Sequence, residues 1–173
     1  GKILIIDDND FSSQQLRQIY ESNYDITIEG DLEEAQIQAR GGDFDLAVVS
    51  MNVSSFDPLR FCSRVRTFEE TRQLPILTLV EDSDTDRLVK GLEIGVNDYV
   101  MRPIDNNELV VRTRTQVLRK KYQDRLRHNY HRSMELAVTD GLTGLYNRRY
   151  MSNHLETLLL KTQTDIKPVS VLI

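Results

Sequence analysis

The chain has one cysteine, no tryptophan, four prolines and eight glycines in 173 residues, and no apolar run approaches the roughly 20 residues needed to span a bilayer. Each shortage excludes something. A single thiol, Cys62, can form no internal disulfide, which sets aside disulfide-stapled scaffolds and fits a reducing compartment. Beside Phe61 and Val65 it reads as a buried packing residue. With neither a membrane span nor a signal peptide visible, the expected location is cytoplasmic and no membrane partner is expected. The scarcity of helix breakers is most pronounced from Arg102 to Asn147. In that stretch no proline follows Pro103 and no glycine precedes Gly141, which predicts one uninterrupted helix over 105–138.

What is present is a globular composition, 39% hydrophobic and 28% charged. The length suits one ordinary domain of about 100–150 residues plus a fragment. The net charge of −5 hides an asymmetry. Residues 112–132 hold eight basic side chains against Asp124 alone, or +7, so the rest of the chain carries −12. A basic rod on an acidic body permits nucleic acid as a partner, permits a neighbouring subunit's acidic face, and is most simply a solvated helix surface.

Along the chain, apolar runs alternate with helical patterns. Lys2 to Asp7 is a strand ending at two acids, followed by a helix from Phe11. Tyr24 to Gly30 alternates as a strand, and Asp31 caps a helix that closes at Gly41-Gly42. Phe44 to Ser50 is a near-continuous apolar strand, the pattern of a strand covered on both faces. Pro58 opens a helix expected to reach Glu70. Leu74 to Val80 is a fourth strand, Asp84 to Gly95 a helix, and Asn97 to Met101 a fifth strand. Five strands alternating with helices predict a doubly wound, flavodoxin-like parallel sheet with right-handed crossovers. In such a sheet, function gathers at the carboxyl ends of the strands. That rule selects Asp7 and Asp8, the turn after Gly30, Ser50, Val80 and Glu81, and Met101 and Arg102.

The acid pair after the first strand, the FDLAVVS…FDPLRFC segment, LPILTLV and GVNDYVMRP together resemble the receiver domain of two-component response regulators over about residues 1–120. The resemblance implies the receiver fold, an upstream histidine kinase, Mg²⁺ held by the acid pair, a phosphoacceptor aspartate ending strand three, a Thr or Ser ending strand four, and a Lys before a Pro. Only Asp7 and Asp8 match. Ser50 stands at the acceptor, Val80 at the Thr or Ser, and Arg102 at the Lys. The switch that would couple phosphate to the aromatic position Tyr99 has lost its first member. A serine hydroxyl is a poor substitute for a carboxylate nucleophile without a base beside it. The expected domain is therefore a degenerate receiver whose pocket comprises Asp7, Asp8, Ser50, Val80, Tyr99 and Arg102, with Asp7 and Asp8 as vestigial ligands for weak Mg²⁺ at most. Arg102, always charged and able to pair two-pronged with a carboxylate, has two readings: it reaches Asp7 or Asp8 and fills the space of metal and phosphate, or it points into solvent.

Asp140-Gly-Leu-Thr-Gly-Leu-Tyr-Asn-Arg-Arg149 closely resembles the opening motif of GGDEF-type diguanylate cyclase domains, on Asp140, Leu142, Thr143, Gly144, Leu145, Asn147, Arg148 and Arg149. Together the two resemblances indicate PleD-type response regulators, in which a true receiver and a degenerate receiver precede the cyclase. They imply domains at 1–120 (adaptor receiver), 105–138 (linker helix) and 139–173 (start of an α+β cyclase domain inside which the chain stops). No catalytic residue and no cofactor is then expected in this chain; Mg²⁺ and GTP would serve the missing cyclase domain, which makes cyclic di-GMP. Gly41-Gly42-Asp43-Phe44 also looks like a cyclase tetrapeptide, but its place between helix and strand makes it a helix end.

A homodimer is expected through the surface of helix four, strand five and helix five, with Arg87, Lys90, Glu93, Asp98, Arg112 and Arg119 as candidates. On the long helix Leu118, Tyr122, Leu126, Tyr130, Met134 and Val138 recur every four residues, a stripe that winds by about 40° per step and is expected to meet the receiver body first and another subunit or domain later. His128 and His131 lack further ligands and read as surface residues. The competing function, a DNA-binding regulator using the basic helix 112–132, lacks a helix-turn-helix after the receiver. A strand is expected to begin at Val169.

Overall fold

The computed structural model describes residues 1–165; the strand expected from Val169 lies outside them. The elements are β1 (Lys2–Ile6), α1 (Asp10–Tyr20), β2 (Asp25–Glu29), α2 (Leu32–Gly41), β3 (Leu46–Ser50), α3 (Pro58–Thr67), β4 (Ile76–Glu81), α4 (Thr85–Ile94), β5 (Asp98–Arg102), α5 (Asn106–Val138) and α6 (Arg148–Asp165). The five strands form one parallel sheet in the order β2-β1-β3-β4-β5. Because successive side chains of a strand point to opposite faces, each strand feeds two cores. Leu4, Ile6, Ala47, Val49, Ile76 and Val80 face one core with Ala35, Phe61, Cys62 and Val65 from α2 and α3. Ile3, Ile5, Leu46, Val48, Leu77, Leu79 and Val100 face the other with Leu16, Tyr20, Leu109 and Val117 from α1 and α5. This double coverage is why the strands read as continuous apolar runs. Burial pushes the Cys62 thiol up to about 12, so it is an inert packing residue.

The helix ends follow local chemistry. Asn9, Asp31 and Asp57 accept hydrogen bonds from first-turn amides of α1, α2 and α3, and Asp105 does the same for Asn107 and Glu108 at the start of α5. Gly95 closes α4 with φ +103°, the left-handed conformation glycine adopts without a steric cost. Gly42 closes α2 differently. Its backbone is extended, and glycine is required there because a Cβ would lie 2.3 Å from the Phe44 ring. The third helix stops at Thr67, short of the expected Glu70, because Phe68 turns into extended backbone and its ring lies 4.3 Å under the Arg40 guanidinium.

The compact unit that holds the sheet runs from Gly1 to Gln123, and a second begins at Asp124, inside α5. Within the first unit α5 packs through Leu109, Thr113, Gln116 and Val117, with a 2.7 Å hydrogen bond between Thr113 Oγ1 and Tyr20 Oη. Leu118 and Tyr122 are 57% and 64% exposed, which corrects the expectation that the stripe they begin meets the receiver body first. Leu118 follows Val117 by one residue, which turns it about 100° around the helix, away from the buried face. Among the described residues no helix is long and apolar enough to cross a membrane.

Candidate functional site

Parallel pairing brings the carboxyl ends of the strands to one edge, with the reversal of strand order between β1 and β3 as the expected place for a site. Asp7 and Asp8 follow β1, Ser50 ends β3, and Glu81 and Arg102 are register partners at the ends of β4 and β5. Arg102 is the centre of what this arrangement assembles. Its Nη2 donates to Ser12 Oγ at 2.7 Å and to Ser50 Oγ at 3.4 Å, and lies 3.6 Å from Asp7 Oδ2. The Ser12 hydroxyl in turn donates to Asp7 Oδ2 at 2.5 Å. At 3.6 Å the arginine and Asp7 form an ion pair without a hydrogen bond, and Ser12 relays the contact between them. Asp7 also accepts from Asn9 N at 3.0 Å, and its side chain is 2% exposed. Arg102 Nε lies 3.7 Å from Glu81 Oε1, and Asn52 Nδ2 donates to the same oxygen at 2.6 Å. The Nε itself is buried without a hydrogen-bond partner.

Asp8 is held separately. Its Oδ2 accepts from Ser54 N, Ser54 Oγ and Ser55 N at 2.8–2.9 Å. Burial alone would raise its pKa, but the hydrogen bonds from Ser55 and Ser54 together hold the carboxyl below the usual aspartate value. Ser55 Oγ donates to Gly30 O, which ties the loop after β3 to the turn after β2. Val80 is fully buried and presents no polar group to the edge, and Tyr99 is partly buried with Arg112 5.9 Å from its ring centre. The edge thus brings together Asp7, Ser50 and Arg102 from the sequence-selected set, leaves Asp8 in its own serine cradle, and places Val80 in the core. Sequence reading did not assign Ser12 or Glu81 to the site. Ser12 carried no signal beyond lying one helical turn after the acid pair, whereas Glu81 stood at a strand end selected by the edge rule.

The candidate docking residues are partly engaged within the chain. Arg112 Nη1 meets Asp98 Oδ1 at 2.7 Å and its Nε meets Glu108 at 2.7 Å, while Arg87 donates to Met51 O and pairs with Asp84. Lys90, Glu93 and Arg119 are exposed.

In the second unit the Asp140–Arg149 motif is a closed turn. Asp140 Oδ1 accepts from Leu142 N, Thr143 N and Thr143 Oγ1, chiefly Thr143, and these bonds lower its pKa. Gly144 takes φ +71°, so Asp140 N can donate to Leu145 O at 2.7 Å. Asn147 has two tasks: its Nδ2 donates to Ala137 O, and its Oδ1 caps α6 by accepting from Tyr150 N. Arg148 and Arg149 begin α6. Asp140, Thr143, Gly144 and Asn147 thus serve the motif's own backbone.

A β2-β1-β3-β4-β5 parallel sheet with an acid pair at its switch point defines a receiver domain. Residues 3–114 match the response regulator receiver domain family, and the chain belongs to it. Over all 173 residues it is 47% identical to the response regulator PleD of Caulobacter vibrioides, of which it spans 38%. It is 31% identical over 126 residues to the response regulator ArlR of Staphylococcus saprophyticus, covering 72% of this chain and 56% of the relative. The chain therefore spans well under two thirds of these relatives. Among solved structures, one described as a response regulator from Chloroflexus aurantiacus superposes with TM-score 0.64 at 30% identity, covering 68% of this chain and 97% of that one. The receiver domain of a sensor histidine kinase from Pseudomonas aeruginosa, with a magnesium ion in its active site cleft, superposes with TM-score 0.62 at 22% identity, covering 67% and 96%.

Proposed function

We propose that this chain is a receiver that takes up no phosphoryl group, is held in one conformation by its own arginine, and works as an adaptor in a longer response regulator. The observation that carries this reading is the Arg102–Ser12–Asp7 relay at the strand ends, beside a serine at the acceptor position. Ser50 Oγ accepts from the Arg102 guanidinium, which can only donate and so cannot serve as its base.

The same geometry argues against a resident Mg²⁺. The cation needs carboxylate oxygens free to face it. Here Asp7 Oδ2 is occupied by Ser12 with a fixed positive charge at 3.6 Å, and Asp8 Oδ2 already accepts three hydrogen bonds. Among the described residues no three His, Cys, Asp or Glu side chains gather as a metal site.

The 47% identity to PleD over the whole chain, together with the Asp140–Arg149 motif, supports a parent protein that continues into a diguanylate cyclase joining two GTP into cyclic di-GMP. Such a reaction needs two cyclase domains facing each other, so the adaptor is expected to assist homodimerisation, beside a true receiver that takes the signal from a histidine kinase. Exposed Val89 and Leu92 on α4 and Val111 and Leu118 on α5 are apolar side chains suited to such a contact. The decisive test of the adaptor is acetyl-phosphate labelling with Mg²⁺. The chain stays unlabelled, whereas a Ser50→Asp, Val80→Thr, Arg102→Lys variant takes up label; label on Ser50 of the parent chain would overturn the reading.

A further inference from the structure

The amino edge of the sheet, opposite the site just described, holds a pocket of about 210 Å³ where β4 and β5 begin. Arg66, Arg72, Arg119 and Lys120 line it with Gln73 and Gln123, and among the described residues no carboxylate does. Arg66 forms its rigid wall. Its Nε and Nη2 donate to Gly95 O, Nη1 to Arg72 O and Leu74 O, and Nη2 also to Asn97 Oδ1, at 2.8–3.2 Å. Every one of these acceptors is neutral. Burial pushes the Arg66 pKa down, so its charge is kept at a desolvation cost with no anion among those partners. Arg72 reaches the pocket from the loop after α3 and Arg119 from α5, and both are exposed. Arg72 meets Glu69 at 3.6 Å, a contact between exposed side chains that water and salt screen.

We propose that this pocket binds the phosphate or diphosphate group of a small ligand. A carboxylate uses one guanidinium fork, whereas a tetrahedral oxyanion can accept from donors arriving from several directions, as the loop and α5 provide here. The neutral glutamines add donors without competing charge. The assignment does not rest on the Arg102 site, which lies at the other end of the strands, although Arg119 is shared with the candidate docking surface.

The test is amide NMR of the whole chain at low ionic strength, titrated in parallel with sodium phosphate, sodium pyrophosphate, sodium acetate, and sodium chloride at matched ionic strength. Saturable shifts at Gln73, Leu74, Asn97 and Gln116 are expected with phosphate or pyrophosphate. Tighter binding of pyrophosphate assigns a diphosphate group, and equal binding a single phosphate. Arg72→Gln with Arg119→Gln, both at exposed positions, is expected to weaken binding by roughly tenfold or more while leaving the spectrum elsewhere unchanged. Shifts that grow linearly, that chloride or acetate reproduces, or that survive in the double variant would overturn the proposal.

Discussion

Replacing Arg102 by alanine tests the arginine plug most directly. The substitution removes the 2.7 Å bond to Ser12 and the charge 3.6 Å from Asp7, whose side chain is 2% exposed. A hydrogen bond involving a charged group contributes about 1.5–3 kcal/mol. Relief of the buried, unpartnered Nε offsets part of that, so a net loss of about 2 kcal/mol and a Tm lower by about 4–8 °C are expected. The same change removes the cation beside Asp7 and Glu81, and Mg²⁺ is then expected to enter by displacing the Ser12 hydroxyl from Asp7. If the variant binds Mg²⁺ with Kd about 1 mM, about 10 mM of the salt restores about 1.4 kcal/mol, or about 3–6 °C, whereas the parent gains less than about 1 °C. Thermal melts followed by circular dichroism, with sodium chloride at equal ionic strength as control, read both effects. An equal Mg²⁺ gain in parent and variant would refute the plug, as would a variant that melts with the parent.

Tyr20→Phe removes the hydroxyl bonded to the fully buried Thr113 and is expected to cost about 1–2 kcal/mol, seen as a lower urea midpoint at unchanged slope. Asn147→Ala removes the cap of α6 and is expected to cost about 1 kcal/mol, read as faster amide exchange at Tyr150 while sheet amides keep their protection. The folded pKa of Asp8 is depressed, so its stabilising contribution is present above the ordinary aspartate value and lost as pH falls through the folded one. Partial exposure keeps that contribution small, and a carboxyl titration by NMR is expected to show Ser54→Ala moving the Asp8 pKa part of the way back up.

The strands and the long helix were legible because continuous apolar runs and the absence of breakers are strong local signals. The buried face of α5 was not. Two of its four buried residues, Thr113 and Gln116, are polar, and each is satisfied by a distant partner, Tyr20 or Asp98. A hydrophobicity pattern overlooks such residues and selects the exposed stripe from Leu118 instead. Ser12 escaped for a related reason, since its role depends on Arg102, 90 residues away. Arg102 itself was legible because an arginine before a proline at a strand's carboxyl end stands where the receiver pattern has a lysine.

Glu81 explains why the departures from that pattern belong together. Ser50 removes one carboxylate from the edge, but Glu81, one position beyond Val80, supplies another from β4. A third carboxylate on β3 would face the acid pair and favour a metal; on β4 it lies 3.7 Å from Arg102 Nε and 2.6 Å from Asn52 Nδ2, while Asp7 lies 3.6 Å from Arg102 Nη2. A lysine, with one compact ammonium, can approach one of these acids closely, whereas a guanidinium presents Nη2 to Ser12 and Asp7 and Nε toward Glu81. Serine at 50 and glutamate at 81 both meet arginine at 102, and the three are expected to act as one coupled unit. Their double-mutant cycles are expected to be non-additive: in Arg102→Ala, the further change Glu81→Gln should reduce the Mg²⁺ response, whereas in the parent it should leave Mg²⁺ binding unchanged and lower stability. Equal effects of Glu81→Gln in both backgrounds would separate Glu81 from the plug.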